Sequence, residues 1–158
     1  MLTTMNLKKV FGNLLQQDVD VIVNPWNRNI IPWWLLLPQG VSGAIKKYGG
    51  YAPFIEVSKY GPISLGEACL TSAGKLKFKA IIHVAGINMF WCATEKSIKN
   101  SVASAIKLAE DNQFKSIAFP LIGAGSGNRS KKFSRRVMLS AFEEINPSMQ
   151  VTLVEYKK

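Results

Sequence analysis

The stretch DVDVIVNPWNRNIIPWWLLLPQGVSG, residues 18–43, decides the fold. It opens as a β-strand, because Val19, Val21 and Val23 alternate with their neighbours until the chain leaves the pattern at an Asn-Pro pair. Two glycines at its far end lead into a helical run. In open α/β sheets, ligands bind beyond the carboxyl ends of the strands, and phosphates bind at helix N-termini. This segment therefore predicts amide side chains that can bind hydroxyl groups, with a place for a phosphate beside them.

The rest of the chain alternates strands with helices. Apolar runs and turn signals predict strands over residues 5–10, 19–24, 67–72, 79–85, 116–119 and 150–156. Helical spacing and capping residues predict helices over 42–48, 53–60, about 94–109 and 130–145. This order predicts an α/β fold with a mixed, largely parallel central sheet covered on both faces, in a single domain spanning residues 1–158.

Composition narrows the function classes. The chain has 158 residues, of which 47% are hydrophobic and 19% charged, as expected for one globular domain with a proper core. No apolar run is long enough to span a bilayer and no secretory signal opens the chain, so we expect a cytoplasmic protein without membrane contact. Two cysteines and one histidine make a disulfide framework or a metal site improbable, and no metal or cofactor is expected.

The net charge of +10 favours polyanionic partners in general. The basic residues cluster in two places, Lys75 to Lys79 and Arg129 to Arg136. The favoured interpretation is a solvated face that keeps the protein soluble. A surface for nucleic acid or poly-ADP-ribose is the alternative, and no RNA- or DNA-binding sequence motif supports it.

Four motifs in order resemble those of macro domains, over roughly residues 7–156. VIVNPWN and QGVSGAIKK (21–27 and 39–47) are similar to the family's VNAAN, glycine loop and GAI helix. GNLL (12–15) resembles its GDI motif, AIIHVAG (80–86) its VIHTVGP strand and FPLIGAG (119–125) its second phosphate loop. The resemblance implies a three-layer α/β/α fold that binds ADP-ribose.

The resemblance also implies a set of ligand-binding residues. Asn27 corresponds to the asparagine that contacts the distal ribose, while Asn24 is equally well interpreted as a turn residue that bonds within the protein. Asn13 stands where an aspartate accepts the adenine amine, so recognition of adenine is expected in weakened form and another base stays open. Glycine-rich segments grip the pyrophosphate, through Ser42, Gly43 and Ala44 on one side and Gly123, Ala124, Gly125, Ser126 and Gly127 on the other.

Catalysis is the point at which the chain departs from the family. Ser42 replaces the aspartate that many hydrolytic macro domains carry in this loop, and a serine is a poor general base. Lys46 stands where a second lineage has a functional lysine, but the partner aspartate of that lineage is missing. His83, inside an apolar strand, is expected to be a core residue. Candidate catalytic residues are therefore Asn27 and Lys46.

Three functions stay open at this stage. The domain could hydrolyse ADP-ribosyl-protein adducts or ADP-ribose 1''-phosphate, or it could be a non-catalytic reader of ADP-ribosylated macromolecules, which the lost aspartate favours. The third is a poly-ADP-ribose or nucleic-acid binding module, resting on charge alone. The apolar segment 30–38 contains Trp33 and Trp34. It is expected either to pack into the hydrophobic core or to place an aromatic side chain over the distal ribose. Arg28 could pair with a phosphate.

Overall fold

The computed structural model describes residues 6–27, 40–61, 63–87, 93–124 and 130–156, and for Asn27 and Ile87 the backbone only. Six strands are present, namely β1 (Leu7–Phe11), β2 (Val21–Asn27), β3 (Ala68–Thr71), β4 (Ala80–Ile87), β5 (Ser116–Pro120) and β6 (Gln150–Glu155). The helices are α1 (Gly40–Gly49), α2 (Ala52–Lys59), α3 (Glu95–Asp111) and α4 (Lys131–Ile145), and a single 3-10 turn covers Leu14–Gln16.

The strands form one sheet in the order β1-β6-β5-β2-β4-β3. Every neighbouring pair is parallel except β3 with β4 at one edge. The predicted mixed, largely parallel sheet is therefore confirmed. Since five strands point the same way, their carboxyl ends gather at one edge of the sheet, where α/β proteins bind ligands.

Side chains that alternate along the strands fill one apolar layer on each face of the sheet. Val21 and Val23 of β2 face the layer beneath α3 and α4, whereas Ile22 faces the layer beneath α1 and α2. All three side chains are fully buried. Each face of the sheet is thus covered by a helix pair, and the predicted three-layer α/β/α arrangement is confirmed. Among the described residues, no helix is both long and apolar enough to cross a membrane.

Local signals explain where the helices begin and end. Thr94 caps α3 by accepting from the Ser97 backbone N–H at 3.0 Å, and the Ser97 hydroxyl accepts from the Thr94 N–H at 2.8 Å. Ser130 caps α4, because its hydroxyl accepts from the Phe133 backbone N–H at 3.0 Å. At the other end of α4, Asn146 takes the left-handed conformation with φ of 49°.

Two predicted boundaries near the site were wrong. β2 does not stop at Asn24 but continues to Asn27, with a register shift between Pro25 and Asn27. Proline is tolerated there because β2 pairs with β5 only through Val21 and Ile22, so Pro25 lies beyond that ladder. The helix predicted from Ser42 begins at Gly40, so residues 40–43 form its first turn rather than a loop in front of it.

Candidate functional site

Residues that the sequence predicts for the site lie on elements that begin or end at the carboxyl edge of the sheet. β2 delivers Asn24 and Asn27 there, and β5 is followed directly by the turn that contains Gly123. The first turn of α1 lies against the end of β2, because the Ser42 hydroxyl donates to Asn24 Oδ1 at 2.9 Å. An α-helix leaves its first four N–H groups without intrahelical acceptors, so this turn offers donors to a ligand beside the two amide residues.

Asn24 lies at the centre of a buried hydrogen-bond chain. It is fully buried, and its Nδ2 lies 3.0 Å from His83 Nδ1, while His83 Nε2 lies 2.8 Å from the Thr71 hydroxyl. The Thr71 hydroxyl in turn donates to the Ser72 carbonyl at 3.0 Å. Asn24 therefore ties α1 to the strands of the sheet, and direct contact of its amide with a ligand stays a prediction.

His83 is confirmed as a core residue. It is fully buried, and the edge of its ring faces Trp26 and Phe54 at centroid distances of 6.3 and 6.4 Å. Because the Asn24 amide donates to Nδ1, the proton sits on Nε2, where it is donated to Thr71. Burial lowers the pKa of His83 from 6.5 to about 3, so the ring stays neutral in the folded protein.

This depressed pKa predicts a loss of stability in acid. The unfolded chain takes up a proton at His83 below pH 6.5, whereas the folded chain does so only near pH 3. The contribution of His83 to the free energy of unfolding is therefore fully present above pH 6.5 and is lost as the pH falls toward 3. Urea unfolding between pH 7 and 4 should show a decrease of up to about 1.4 kcal/mol per pH unit from this residue. His83→Gln should lack this decrease. If the free energy of unfolding fell equally steeply with pH in both proteins, the assignment of His83 as a neutral buried residue would be contradicted.

Asn13 lies at the carboxyl end of β1 and caps the 3-10 turn. Its Oδ1 accepts from the Leu15 backbone N–H at 2.9 Å, and its backbone carbonyl accepts from the Gln17 amide at the same distance. The side-chain oxygen retains a second lone pair and the side chain is half-buried rather than enclosed. Asn13 can therefore still accept a hydrogen bond from a base, as the sequence predicts.

Tyr156 is a candidate that the sequence analysis missed. It follows β6 directly and is 66% exposed, and β6 pairs in parallel with β1, where Phe11 is opposite Glu155. The Gly12 N–H donates to the Glu155 carbonyl at 2.9 Å, which brings the segment before Asn13 beside the segment before Tyr156. An exposed aromatic ring at a ligand edge suits stacking on a base. Only the pairing of the first and last strands reveals this proximity.

The second glycine segment opens with a tight turn. Gly123 has φ of +89°, and a Cβ there would lie 2.8 Å from the Ala93 Cβ. Beside it, Ser134 Oγ of α4 is buried with no hydrogen-bond partner among the described residues. An unsatisfied buried hydroxyl is uncommon and calls for a partner such as water or a ligand. Ala124 follows the turn, and Gly125, Ser126 and Gly127 lie outside the described residues.

Lys46 lies one helical turn after Ser42, with Nζ 5.2 Å from the centroid of the Tyr51 ring. It faces a cleft that it shares with Lys47 and Lys75, and its catalytic role stays a prediction. Gly43 lines the same cleft.

The Asn27 side chain, Arg28 and the segment with Trp33 and Trp34 lie outside the described residues. Across the described ranges, no three His, Cys, Asp or Glu side chains converge as metal ligands would.

Comparison with known proteins agrees with this architecture. A family model described as Macro domain matches residues 23–138. A macro domain-containing protein of Caldanaerobacter subterraneus is 38% identical over 128 residues, covering 76% of this chain and 69% of the relative. An O-acetyl-ADP-ribose deacetylase of Salmonella gallinarum is 36% identical over 131 residues, covering 77% and 69%. The Trypanosoma brucei macrodomain solved with ADP-ribose superposes with a TM-score of 0.81 at 20% identity, covering 97% of this chain and 64% of that one.

Proposed function

Because this chain belongs to the macro domain family, we propose that the carboxyl edge of its sheet binds ADP-ribose. The observation that carries the proposal is the 2.9 Å hydrogen bond from Ser42 to the buried Asn24. It fixes the start of α1 beside the end of β2, so that N–H donors for a phosphate adjoin a strand end that carries Asn27. The ADP-ribose bound to the Trypanosoma brucei macrodomain supports the choice of ligand.

The base would lie between Asn13 and Tyr156. Asn13 Oδ1 accepts from the exocyclic amine, and the exposed Tyr156 ring stacks on the base from the neighbouring strand end. An asparagine accepts this hydrogen bond without a charge, and one oxygen lone pair is already used by Leu15. Stacking is therefore expected to contribute more than the hydrogen bond, and discrimination between bases is expected to be modest.

Replacement of Tyr156 tests the base end of the site. Tyr156→Ala should weaken ADP-ribose binding about 5- to 100-fold, since stacking of a base on an aromatic ring contributes roughly 1–3 kcal/mol. Tyr156→Phe keeps the ring and should bind within about twofold of the unchanged protein, which makes it the matched control. Calorimetric titration measures both. Full affinity in Tyr156→Ala would remove this residue from the site.

The pyrophosphate would be held from two sides. The first turn of α1, including Ser42, Gly43 and Ala44, supplies backbone donors and the positive end of the helix dipole. The segment from Gly123 to Gly127 supplies the opposing backbone, and the positive φ of Gly123 turns the chain back at its first residue. The distal ribose would be bound by Asn27, the last residue of β2.

A second candidate function is hydrolysis of ADP-ribose esters. The relationship to an O-acetyl-ADP-ribose deacetylase favours it, although the Ser42 hydroxyl donates its proton to Asn24 and cannot act as the base. Asn27 would orient the substrate, and a substrate phosphate would take the proton from a water that attacks the ester carbonyl. The carbon–oxygen bond then breaks to release the acid and ADP-ribose. Lys46 stays the weaker candidate for a catalytic role.

Turnover separates an enzyme from a reader. The protein is incubated with O-acetyl-ADP-ribose, and acetate and ADP-ribose are quantified by mass spectrometry against a sample without protein. Release that is lost in Asn27→Ala supports hydrolysis. Saturable binding of ADP-ribose without release of acetate would instead support a non-catalytic reader of ADP-ribosylated macromolecules, and would remove the ester hydrolase from consideration.

A further inference from the structure

A cleft beside α1, which begins next to the carboxyl edge and leads away from it, combines positive charge with exposed aromatic surface. It measures about 610 Å³ and runs from the first turn of α1 to the turn after β3. Its lining consists of three lysines, two glycines and a tyrosine, namely Gly43, Lys46, Lys47, Gly50, Tyr51 and Lys75. Among the described residues, the lining contains no carboxylate, which favours an anionic ligand.

The fold brings these lysines together from two segments that are far apart in the sequence. Lys46 and Lys47 lie in the last turn of α1, and the turn after β3 is attached to the same end through a 2.9 Å hydrogen bond from the Lys75 N–H to the Gly49 carbonyl. The Lys75 side chain passes close to Gly50. Lysines near a helix C-terminus also offset the helix dipole, which accounts for the positions of Lys46 and Lys47 but not for that of Lys75.

Aromatic rings accompany the lysines in the same cleft. Tyr51, which precedes α2, is 56% exposed and lies 5.2 Å from Lys46 Nζ. Tyr48, which is not part of the lining, is 58% exposed and its ring centroid lies 5.3 Å from Nζ of the lining residue Lys47. A purely solvated basic face needs no large exposed rings. Rings interleaved with cations are instead the combination by which proteins bind single-stranded nucleic acid, since bases stack on the rings while lysines follow the phosphates.

We propose that the cleft formed by Lys46, Lys47, Tyr51 and Lys75 binds single-stranded nucleic acid. Phosphates contact the three lysines and an unstacked base lies on Tyr51, with Tyr48 available to a neighbouring base. A duplex keeps its bases stacked and cannot use the rings, and an acidic peptide has charge without flat bases. The inference does not rest on ADP-ribose binding. Gly43 and Lys46 are also named for the ADP-ribose site, whereas Lys47, Tyr51 and Lys75 lie outside it and are the residues to test.

The test is a fluorescence-anisotropy titration with a labelled oligodeoxythymidylate of about 12 nucleotides, a length suited to one small domain. Thymine lacks the exocyclic amine that Asn13 is expected to bind in the ADP-ribose site. Binding should weaken with salt, with a slope of log K against log salt near −2, as expected for about three phosphates on a single strand. The duplex of the same length and a polyglutamate peptide should each bind at least about tenfold more weakly.

Matched variants distinguish this cleft from general charge. Lys47→Glu and Lys75→Glu should each lower the affinity about tenfold, whereas Lys96→Glu, an equal charge change on α3 at the opposite face of the sheet, should change it less than twofold. Tyr51→Ala should lose affinity and Tyr51→Phe should keep it, while thermal melts verify folding and calorimetry with ADP-ribose reports on the other site. Equal losses in Lys75→Glu and Lys96→Glu, or duplex and peptide binding as tight as the single strand, would overturn the proposal.

Discussion

Gly123→Ala should destabilise the protein by about 2–4 kcal/mol and lower its melting temperature by roughly 10 °C. Two costs combine at this residue. Its φ of +89° lies where a side chain is strained, and the new Cβ would lie 2.8 Å from the Ala93 Cβ and 3.2 Å from the Ile98 Cδ1. Neither neighbour has room to move away, because Ala93 and Ile98 are fully buried beside the start of α3. Relief therefore requires movement of the turn that begins the second glycine segment.

Alanine substitutions at two other glycines separate the cost of the positive φ from the cost of the close contact. Gly61 also has a positive φ, of +73°, but a Cβ there would meet nothing within 4 Å, so Gly61→Ala should cost only about 1 kcal/mol. Gly12 has open space and no positive φ, and Gly12→Ala should have almost no effect on stability. Urea unfolding ranks the three variants. A loss at Gly123 no larger than at Gly61 would show that the close contact with Ala93 carries no energy.

The same substitution should weaken ADP-ribose binding if the turn holds the pyrophosphate. Because the turn must move to accommodate the methyl group, its backbone donors would leave the positions proposed for binding the pyrophosphate. Calorimetry well below the melting temperature of the variant separates this effect from unfolding. Unchanged affinity in folded Gly123→Ala would exclude this turn from the phosphate site.

Asn27→Ala should weaken ADP-ribose binding about 5- to 100-fold, since loss of a hydrogen-bonding group in a ligand site costs roughly 1–3 kcal/mol. Asn27 ends β2 opposite Ile87 of β4, directly after a register shift. Such irregularities occur next to functional sites because they redirect a side chain without dismantling the sheet. The position is thus suited to the ribose end of the ligand.

A matched asparagine controls for the substitution itself. Asn112 follows α3, which leads away from the carboxyl end of β4, so it lies at the opposite edge of the sheet. Its side-chain amide donates to the Leu108 carbonyl at 2.8 Å, within its own helix end, and Asn112→Ala should bind ADP-ribose as the unchanged protein does. Equal affinities of Asn27→Ala and Asn112→Ala would remove Asn27 from the site, and with it the assigned role in catalysis.

Much of the fold could be predicted because its signals are local. The alternation of Val21, Ile22 and Val23 identifies a strand buried on both faces, and Thr94 and Ser130 identify two helix starts through capping within three residues. Prediction failed where a distant partner decides the outcome. The continuation of β2 through Pro25 depends on where its pairing with β5 ends, which nothing in residues 18–43 encodes.

The residues of the candidate site were likewise predictable only where their signals are local. Glycines and asparagines marked the strand ends, because their conformational and hydrogen-bonding properties are visible one residue at a time. The hydrogen-bond chain from Ser42 through Asn24 and His83 to Thr71 joins four elements, and Asn24 and His83 are 59 positions apart in the sequence. Tyr156 approaches Asn13 only because the last strand pairs with the first. Such contacts follow from sheet order, and no spacing in the sequence reveals them.

The most direct test of the central proposal is calorimetric titration of the unchanged protein with ADP-ribose at low and high salt, with AMP and ADP in parallel. A pocket built from backbone donors, amides and an aromatic ring predicts saturable binding of one ADP-ribose, tighter than that of AMP, with little dependence on salt. Absence of heat and of saturation with ADP-ribose would contradict the proposal, and the macro domain fold of this chain would then serve another ligand.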